Sequence, residues 1–491
     1  MKRMTFRVLD VGQGSGNFVQ VVDDAGDPLC SVLVDLGSTQ NRDEAGVPSV
    51  KQVLTLLAKR PLIDLIVLSH SDEDHVNLVL DILEAPDIPP KSITVERTCY
   101  TGEWDWYLKR GRNVLEAIQE HTRDERPPEA FLEADHNDFT GGDEAEPFLV
   151  VEDLKIWLVM ANATSALTGL RGKRPNGYKV NTNSAIVMLE FHGAQFMVTG
   201  DATGGTLFEV NKVIDTGDSY RNFQNIRMLT VPHHGSLTTL VNVAGTNTRD
   251  DKDKGKARAN VKKFVESTDP DSITVSAGRR VDWKHPDNET LKFFWPAVGG
   301  VPLWDGIPEV DERHFYTAYF WQHADLAGGA DEKWPVGPSG FYSVLTRYNI
   351  YTTFYVDGPA QHVRFPNAGT SHGALGVVLP PSGSPFLTLP QQVLAQPLGV
   401  AWTYTVQVKG GIEETTLVPE VNRPAYLRMV AALGGVPEGW PDPAALGDAP
   451  TVALPSRSVG DVVPVPRRVV PAPRREAPTR RRPLPRLVAL P

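Results

Sequence analysis

Positions 67 to 77 read VLSHSDEDHVN, which places two histidines and three acids within six residues, directly after the apolar run LIDLIVL. His70, Asp72, Asp74 and His75 form the pattern H-x-D-x-D-H within it. On a tight loop after a strand, alternate side chains can face one cavity. The stretch therefore predicts either a metal site at the end of a buried strand or a polar helix cap that contains histidine.

Similar residues follow other apolar strands. SVLVDLGS contains Asp35 at its end, FMVTGDA contains Asp201, and NIRMLTVPHHGS contains His233 and His234. His285 follows the strand SITVSAG in a loop. In a layered α/β protein the corresponding ends of adjacent strands meet at one rim. A rim of Asp and His without Cys suits divalent cations.

Two metal ions about 3.5–4 Å apart need roughly six to eight ligands, including a bridging carboxylate. The candidates suffice for such a site: His70, Asp72, Asp74, His75, Asp201, one of His233 and His234, and His285.

The elements that must position these residues alternate between strand and helix. TFRVLDVGQGSGNFVQVV predicts strand, turn and strand, and PSVKQVLTLLAKR has helical spacing. NSAIVMLEFHGAQFMVTGDA predicts a hairpin that turns at His192 and Gly193. The Gly-rich GQGSG lacks the Gly-Lys-Ser/Thr of a phosphate loop, so we interpret it as a tight hairpin turn. The predicted fold class is α/β.

The chain of 491 residues divides into three predicted units. Residues 1–300 carry the candidate ligands, with predicted insertions at about 96–148, irregular apart from a helix at RNVLEAIQEHT, and at about 242–263, a loop of alternating charge. Residues 301–450 form a C-terminal extension, strand-rich and then helical, which could complete the fold, cover the cleft or bind a protein partner. Residues 451–491 are rich in Pro and Arg and predict a disordered tail.

Charge is unevenly distributed along the chain. The tail has nine arginines against two acids, a net +7, which leaves −18 for the rest of a chain whose total is −11. Clustered arginines can contact nucleic-acid phosphates, or they can simply solubilise a tail or bind a partner. Trp104, Trp106 and Tyr107 interleave with basic residues in EWDWYLKRGR, which allows either stacking on nucleobases or packing of the insertion onto the body.

Two cysteines, Cys30 and Cys99, exclude a disulfide framework and a Cys-based zinc cluster. No stretch approaches the roughly 18–20 apolar residues of a membrane span. The opening MKRMTFRVLDVGQG has no apolar core typical of a secretory signal. We therefore expect a cytoplasmic protein without membrane contact.

The ordered motifs resemble a known family. LDVGQGSGNFVQV, VDLGS, SHSDEDH, NTNSAIVMLEF, VTGDA, VPHHGS and HPDNETL, over roughly residues 4–295, are similar to the metallo-β-lactamase fold. Within it they look most like the nuclease-like domain of the DNA-uptake protein ComEC and its soluble relatives. The resemblance implies a four-layer αββα sandwich with a C-terminal extension and two divalent metal ions, zinc or manganese.

The resemblance also implies roles for individual residues. His70 and Asp72 would bind the first ion, Asp74 and His75 the second, and Asp201 would bridge the two.

The histidines near the end of the motif series resemble further ligands. His285 resembles the last histidine ligand of the family. His234 is favoured over His233 as a ligand or as a proton donor to the leaving group.

Other residues would support the ligands. Asp35 would orient a ligand histidine through its second ring nitrogen. Asp10 and Gln13 would line the floor of the site. Asn183 and Ser184 stand where other branches of the superfamily supply another metal-binding histidine, so the ligand set of the first ion stays open.

The family usually carries H-x-H-x-D-H, so Asp72 stands in place of a histidine. An anionic oxygen ligand favours Mn²⁺ or Mg²⁺ relative to Zn²⁺. We therefore expect activity with Mn²⁺ at least equal to that with Zn²⁺.

The implied activity is metal-dependent hydrolysis of a phosphodiester, with DNA or RNA as the substrate, by an activated water. Asp72 or Asp74 would accept the proton of the water, and His234 would assist the leaving oxygen. Two alternatives stay open: a hydrolase of a small ester, lactone or phosphoester, and a non-catalytic protein that binds a partner, since a fold does not determine a substrate.

Overall fold

The computed structural model describes residues 1–9, 11, 13–39, 47–86, 89, 91–109, 111–131, 147–163, 177–215, 223, 225–241, 251–276, 290, 293–294 and 400–421, together with short strands at 314–317, 361–362, 378–379, 452–453 and 457–458. Asp10 and His285 lie outside these residues, as do the segments of the C-terminal extension predicted from FYSVLTRYNIYTTFYVDG and RPAYLRMVAALGG. The described part is a mixed α/β structure with several sheets and helices.

Between residues 3 and 198, helices separate short runs of strands. They are β1 (Arg3–Val8), β2 (Gly16–Val22), β3 (Pro28–Leu36), β4 (Leu62–Ile63), β5 (Leu65–Leu68), β6 (Thr94–Val95), β7 (Thr98–Tyr100), β8 (Leu108–Lys109), β9 (Arg112–Asn113), β10 (Glu129–Ala130), β11 (Leu149–Val151), β12 (Leu154–Met160), β13 (Ile186–Phe191) and β14 (Ala194–Val198).

The remaining strands extend to the start of the tail. They are β15 (Ile226–Thr230), β16 (Ser272–Val275), β17 (His314–Thr317), β18 (Gln361–His362), β19 (Val378–Leu379), β20 (Val400–Lys409), β21 (Ile412–Val421), β22 (Val452–Ala453) and β23 (Arg457–Ser458). The helices are α1 (Val47–Leu57), α2 (Glu73–Val76), α3 (Val79–Leu83), α4 (Val114–His121), α5 (Gly177–Thr182), α6 (Gly204–Asp215), α7 (Leu237–Val241) and α8 (Asp251–Thr268).

Two large sheets dominate the described residues. The first has the order β10-β7-β5-β3-β2-β1-β20-β21-β22, with β23 also on β21, and the second has the order β11-β12-β13-β14-β15-β16-β17. The neighbours β3, β5, β7 and β10 run parallel, as do β14 to β17. Parallel strands bring their carboxyl ends to one edge, where ligands bind in open α/β sheets.

Alternation along the central strands explains how both faces of the sheets are covered. In β5, Leu65 and Val67 join a cluster with side chains of the second sheet, such as Phe196. Ile66 and Leu68 join a different cluster with α1 to α4. A third cluster packs the other face of the second sheet against α6, α7 and α8. Strands buried on both faces account for the continuous apolar runs that the sequence showed.

The hairpin β20–β21 belongs to the first sheet. β20 pairs with β1 in antiparallel register from Arg3–Gln407 to Val8–Trp402. Its Tyr404 lies edge-on to Phe6 and Phe196 in the central cluster. Of the roles left open for the C-terminal extension, this part completes the fold.

A buried ion cluster ties that hairpin to the second sheet. Arg227 on β15 is fully buried, and its guanidinium donates to Asp271 at 2.5 Å and to Glu413 on β21. Asn225 also donates to Glu413 at 3.1 Å. Polar groups buried at this depth need such partners, because an unpaired buried charge is costly.

Some sequence predictions differ from the structure. The predicted charged loop at 242–263 is wrong over its second half, because residues from 251 onward form α8. Ala257, Val261, Phe264 and Val265 are buried with helical spacing, and the surrounding Lys, Arg and Ala residues favour helix. The period becomes visible only when the window extends past residue 263.

The predicted insertion at 96–148 contains the expected helix, α4, and contributes more order than an irregular segment. Its strands β7 and β10 join the first sheet, and both are too short to show a period in the sequence. Trp106 and Tyr107 are buried, which favours packing onto the body over stacking on nucleobases. The predicted disordered tail begins with β22 and β23 on β21; residues 459–491 lie outside the described range.

Other expectations are met locally. The β13–β14 hairpin turns at His192 and Gly193, both with positive φ, which confirms the predicted turn. Among the helices described, none is long and apolar enough to cross a bilayer.

Both cysteines should be unreactive in the folded protein. Cys30 and Cys99 are buried and unpaired, and burial raises the pKa of each thiol to about 12. Four units below that pKa, at pH 8, only roughly one thiol in ten thousand is thiolate, the reactive form. We expect no modification by a thiol-specific disulfide reagent under native conditions and two modified thiols in guanidinium. Rapid reaction of either cysteine in the native state would contradict the burial of these strands.

Candidate metal centre

The candidate site forms where the ends of strands from both sheets meet. His70 follows β5, and Asp201 follows β14. His234 lies in a 3-10 turn, Pro232–Gly235, after β15. Asp74 and His75 lie on the short helix α2. All five of these side chains are buried, so the fold brings residues separated by up to 164 positions into one polar cluster.

Close backbone packing fixes α2 at this position. Ser15 N donates to the carbonyl of Asp74 at 2.9 Å, and Gly37 N donates to the carbonyl of Ser15 at 2.9 Å. A Cβ added to Gly37 would lie 2.4 Å from the backbone nitrogen of His75. Only glycine permits this approach, which explains the glycines after Asp35 and in GQGSG. That loop is longer than the predicted tight turn and packs against the site.

Asp201 lies between two groups of donor atoms. Its Oδ1 is 3.0 Å from Nε2 of His75 and 3.4 Å from Nε2 of His234. Its Oδ2 is 3.5 Å from Nε2 of His70. One carboxylate therefore presents a different oxygen to each group.

The first group consists of His75, His234, Asp74 and Oδ1 of Asp201. The two Nε2 atoms are 3.4 Å apart, and Oδ2 of Asp74 is 3.5 Å from Nε2 of His234. A tetrahedral ion with bonds of about 2.0–2.1 Å has donor atoms about 3.3 Å apart. The spacing of these atoms therefore fits a shell around one cation.

The second group consists of His70, Asp72 and Oδ2 of Asp201. Oδ2 of Asp72 is 3.7 Å from Nε2 of His70. Asp72 precedes α2 as its N-cap residue but makes no side-chain capping bond, so its carboxylate is directed elsewhere. Its side chain is 25% exposed, which makes this the open side of the cluster.

The ring orientations of two histidines are set by acceptors behind them. Nδ1 of His75 donates to Asp35 at 2.8 Å, and Nδ1 of His234 donates to the carbonyl of Ser276 at 2.6 Å. Each ring in its neutral form then directs the lone pair of Nε2 into the first group. Asp35 also accepts from Ser69 N and Oγ, both at 2.7 Å.

Backbone strain is concentrated here. Asp35 has φ of 55° inside β3, and His233 and His234 have φ of 48° and 51°. Such non-glycine residues cost about 1–3 kcal/mol each and persist where surrounding contacts enforce them, often at functional sites.

The pKa shifts of the clustered side chains show that the carboxylates favour positive charge at this position. Burial opposes charging of His75, but Asp201 and Asp35 outweigh it and raise its pKa well above the ordinary value. Burial and His75 oppose charge on His70, yet Asp201 and Asp72 raise its pKa to about 9. Burial would raise the pKa of Asp74, but His234 and His75 lower it to about 2. Protons or metal cations can supply this charge.

Two buried atoms favour a cation over protons alone. Nε2 of His70 makes no hydrogen bond within the described part of the chain, and Oδ1 of Asp201 faces the Nε2 atoms of His75 and His234, which carry no proton when these rings donate through Nδ1 as neutral imidazoles. Buried polar atoms without partners are rare in folded proteins, and an ion satisfies them. Two sets of donor atoms, His70, His75 and Asp201, and Asp74, His75 and His234, each lie within 4.8 Å of one another. The residues present therefore fit divalent metal ions.

The fold brings together most residues proposed for the site from the sequence. His70, Asp72, Asp74, His75, Asp201 and His234 converge, and Asp35 contacts His75. The ring of His233 is 3.7 Å from Asp201, outside both sets.

Three predicted supporting residues are buried nearby. Gln13 accepts a backbone hydrogen bond from Thr39 through its carbonyl. The carbonyl of Asn183 accepts from Asn162 N, and Ser184 N donates to Asn181. Asp10 and His285 lie outside the described residues, so their roles stay predictions.

Sequence reasoning missed three contributors. Ser69, Ser276 and Asn181 contact Asp35, His234 and His233 respectively. Ser69 directly precedes His70, which is a usable signal. Ser276 acts through its backbone carbonyl, which every residue has, so the residue type at this position gives no signal.

The importance of Asp35 can be measured directly. Asp35→Asn removes the charge that holds His75 and should weaken binding of Mn²⁺ by about 10–100-fold, the usual cost of losing such an orienting partner. Equilibrium dialysis of the metal-free protein measures it. Asp64→Asn is the matched control, since Asp64 accepts from Ser31 N at 2.7 Å and pairs with Arg60 away from the site. Equal affinities of the two variants would contradict the assigned role.

A scan against protein-family models and a search of curated proteins each found no match to this chain.

Proposed function

We propose that this protein is a dinuclear metal-dependent hydrolase that cleaves phosphodiesters, with DNA or RNA as its substrate. The observation that carries the proposal is the position of Asp201, whose Oδ1 faces the buried rings of His75 and His234 and whose Oδ2 faces the buried ring of His70. Bridging carboxylates between two ions are typical of hydrolytic phosphoryl-transfer sites.

The proposed fold is the four-layer αββα sandwich of the metallo-β-lactamase type. Three features support it: a cluster shared by both sheets, a cluster of the first sheet with α1 to α4, and a cluster of the second sheet with α6 to α8. The family motifs and the site at the strand ends support the same proposal. The proposed branch is the one that contains the soluble relatives of the ComEC nuclease-like domain.

His75, His234, Asp74 and Asp201 would hold one ion, and His70, Asp72 and Asp201 would hold the other. When bound, such ions supply an acidified water nucleophile and neutralise charge on the phosphoryl oxygens. His285, in the sequence motif HPDNETL, is a proposed additional ligand.

The residues of this chain would act in three ways. Asp35 and the Ser276 carbonyl keep the Nε2 lone pairs of His75 and His234 directed inward. Asp72 is the more exposed carboxylate, at 25% against 9% for Asp74, and is better placed to accept a proton from solvent-derived water. His234 points its Nε2 at Asp74 and Asp201, which favours a ligand role over the proton-donor role considered from the sequence.

A direct assay tests the proposal. Metal-free protein is supplied with Mn²⁺ and incubated with single-stranded and double-stranded DNA and RNA, beside the Asp74→Ala, His75→Ala double variant. Metal-dependent cleavage that disappears in the variant supports the proposal. Turnover of a small ester or lactone but of no phosphodiester overturns the substrate class, and two bound ions without any turnover overturn the enzymatic role.

The donor set predicts a metal preference. Three carboxylates, from Asp72, Asp74 and Asp201, accompany the imidazoles. A donor set rich in carboxylate oxygens favours Mn²⁺ relative to Zn²⁺ more than a set of nitrogen donors does. We expect activity with Mn²⁺ at least equal to that with Zn²⁺ in the metal-stripped protein. Activity restored by Zn²⁺ alone would contradict this.

A further inference from the structure

Asn181 lies at the end of α5, between two residues of the candidate centre. With its amide oxygen facing His233, the oxygen accepts from Nδ1 of that ring at 3.0 Å. Its amide nitrogen then donates to Oδ2 of Asp72 at 3.2 Å and to the carbonyl of Gly177 at 2.9 Å. This orientation satisfies both ends of a side chain that is itself buried.

The segment that carries Asn181 is anchored to the elements that carry the donors. The hydroxyl of Thr182 lies 3.0 Å from that of Thr203, two residues after Asp201. Ala185 N donates to the carbonyl of Ser69, directly before His70, at 2.9 Å. Asn181 is therefore held at a fixed distance from both donor groups.

We propose that Asn181 is a positioning residue that orients the carboxylate of Asp72 and holds His233 as its Nδ1–H tautomer. The proposal rests on the metal-hydrolase function proposed above. The two adjacent histidines share a left-handed backbone but differ in role. His234 belongs to a set of possible metal donors, whereas Nδ1 of His233 donates to the amide oxygen of Asn181.

The consequence for Asp72 follows from its surroundings. A carboxylate oxygen has two lone-pair sites, so Oδ2 can accept from Asn181 and still face the donor group of His70. Asp72 is partly exposed and its side chain does not cap α2, so the amide of Asn181 is one of the contacts that fix the orientation of its carboxylate. A hydrogen bond to the carbonyl of Gly177 alone, by contrast, would change only the local geometry of α5 and would leave metal binding unaffected.

Two substitutions separate the contact of the amide with His233 from its contact with Asp72. Asn181→Leu removes all three contacts of the amide with little change in size. Asn181→Asp keeps an acceptor for Nδ1–H of His233 but places a second carboxylate against Asp72. Asn211→Leu is the matched control, because Asn211 is a buried amide on α6 that bonds Asn260 away from the centre.

Binding of Mn²⁺ is followed by the electron paramagnetic resonance signal of the free ion. The tautomer of the His233 ring is followed in the metal-free protein by NMR of histidine side chains labelled with nitrogen-15. We expect both Asn181 variants to bind Mn²⁺ about 10–100-fold more weakly than wild type. The Nδ1–H signature of His233 should be retained in Asn181→Asp and lost in Asn181→Leu. The control should match wild type in both measurements.

The outcomes distinguish this inference from the proposed function. An unchanged Mn²⁺ affinity or an unchanged His233 tautomer in Asn181→Leu overturns the positioning role. A wild-type protein that binds Mn²⁺ but cleaves nothing overturns the proposed function alone, since the affinity comparison still holds. A wild type that binds no ion overturns the metal centre and the Asp72 part of this inference, and the tautomer of the metal-free protein then decides the His233 part.

Discussion

Asp201→Asn is expected to abolish the proposed binding of two metal ions and, with it, the proposed hydrolytic activity. The substitution replaces one oxygen by an amide nitrogen, which does not bind divalent ions, and removes the negative charge that both donor groups share. Loss of an outer partner of a ligand costs about 10–100-fold in affinity, so loss of a shared ligand should cost more than about 100-fold. Equilibrium dialysis combined with elemental analysis measures the number of bound ions.

Glu190→Gln is the matched control for this substitution. Glu190 lies on β13 in the same sheet and accepts from Lys155 and Trp157 outside the centre. The control should bind as many ions as wild type. Two tightly bound ions in Asp201→Asn would remove the bridging role and with it the argument for a dinuclear site.

Arg227→Met is expected to lower the free energy of unfolding by about 3–5 kcal/mol, the usual cost of removing one partner of a buried ion pair. Asp271 and Glu413 would remain buried without their cation, in the interior where the second sheet meets the hairpin β20–β21. Chemical denaturation of the purified variant measures the change. Wild-type stability in Arg227→Met would show that the two acids find other partners.

Two further variants show whether the loss of stability in Arg227→Met comes from the unpaired buried charges. Lys409→Met breaks an exposed pair with Glu414 on the same hairpin and should cost less than about 1 kcal/mol. Adding Asp271→Leu and Glu413→Leu to Arg227→Met removes all three charges and should recover much of the loss, since apolar replacements of buried ion clusters are often neutral or stabilising. A triple variant as unstable as Arg227→Met would point to packing rather than charge.

The parts of the site that could be predicted are those that follow apolar strands. His70 and Asp201 stand directly after runs of buried residues, at the carboxyl ends of β5 and β14, each of which runs parallel to a neighbouring strand of its own sheet. Asn181 could not be identified in this way. Its role depends on contacts with Asp72 and His233, which are distant in the sequence, and the sequence motif drew attention to its neighbour Asn183 instead.

For the fold, local patterns predicted individual strands but not their long-range partners. The turn at His192 is encoded by adjacent residues, so it was predictable. The pairing of β1 with β20 joins segments with almost 400 residues between them, and no local period carries that information. The ion pairs of Arg227 could not be predicted either, because its two partners come from distant segments.

That pairing has a consequence for biosynthesis. β1 leaves the ribosome long before β20 is made, because almost 400 residues separate the two strands. At about 5–20 residues per second, the intervening chain takes roughly 20–80 s to synthesise. Throughout that interval one side of β1 is an open edge that can pair with other nascent chains. The protein is therefore expected to depend on chaperones during translation more than a chain of the same size whose strands pair with near neighbours.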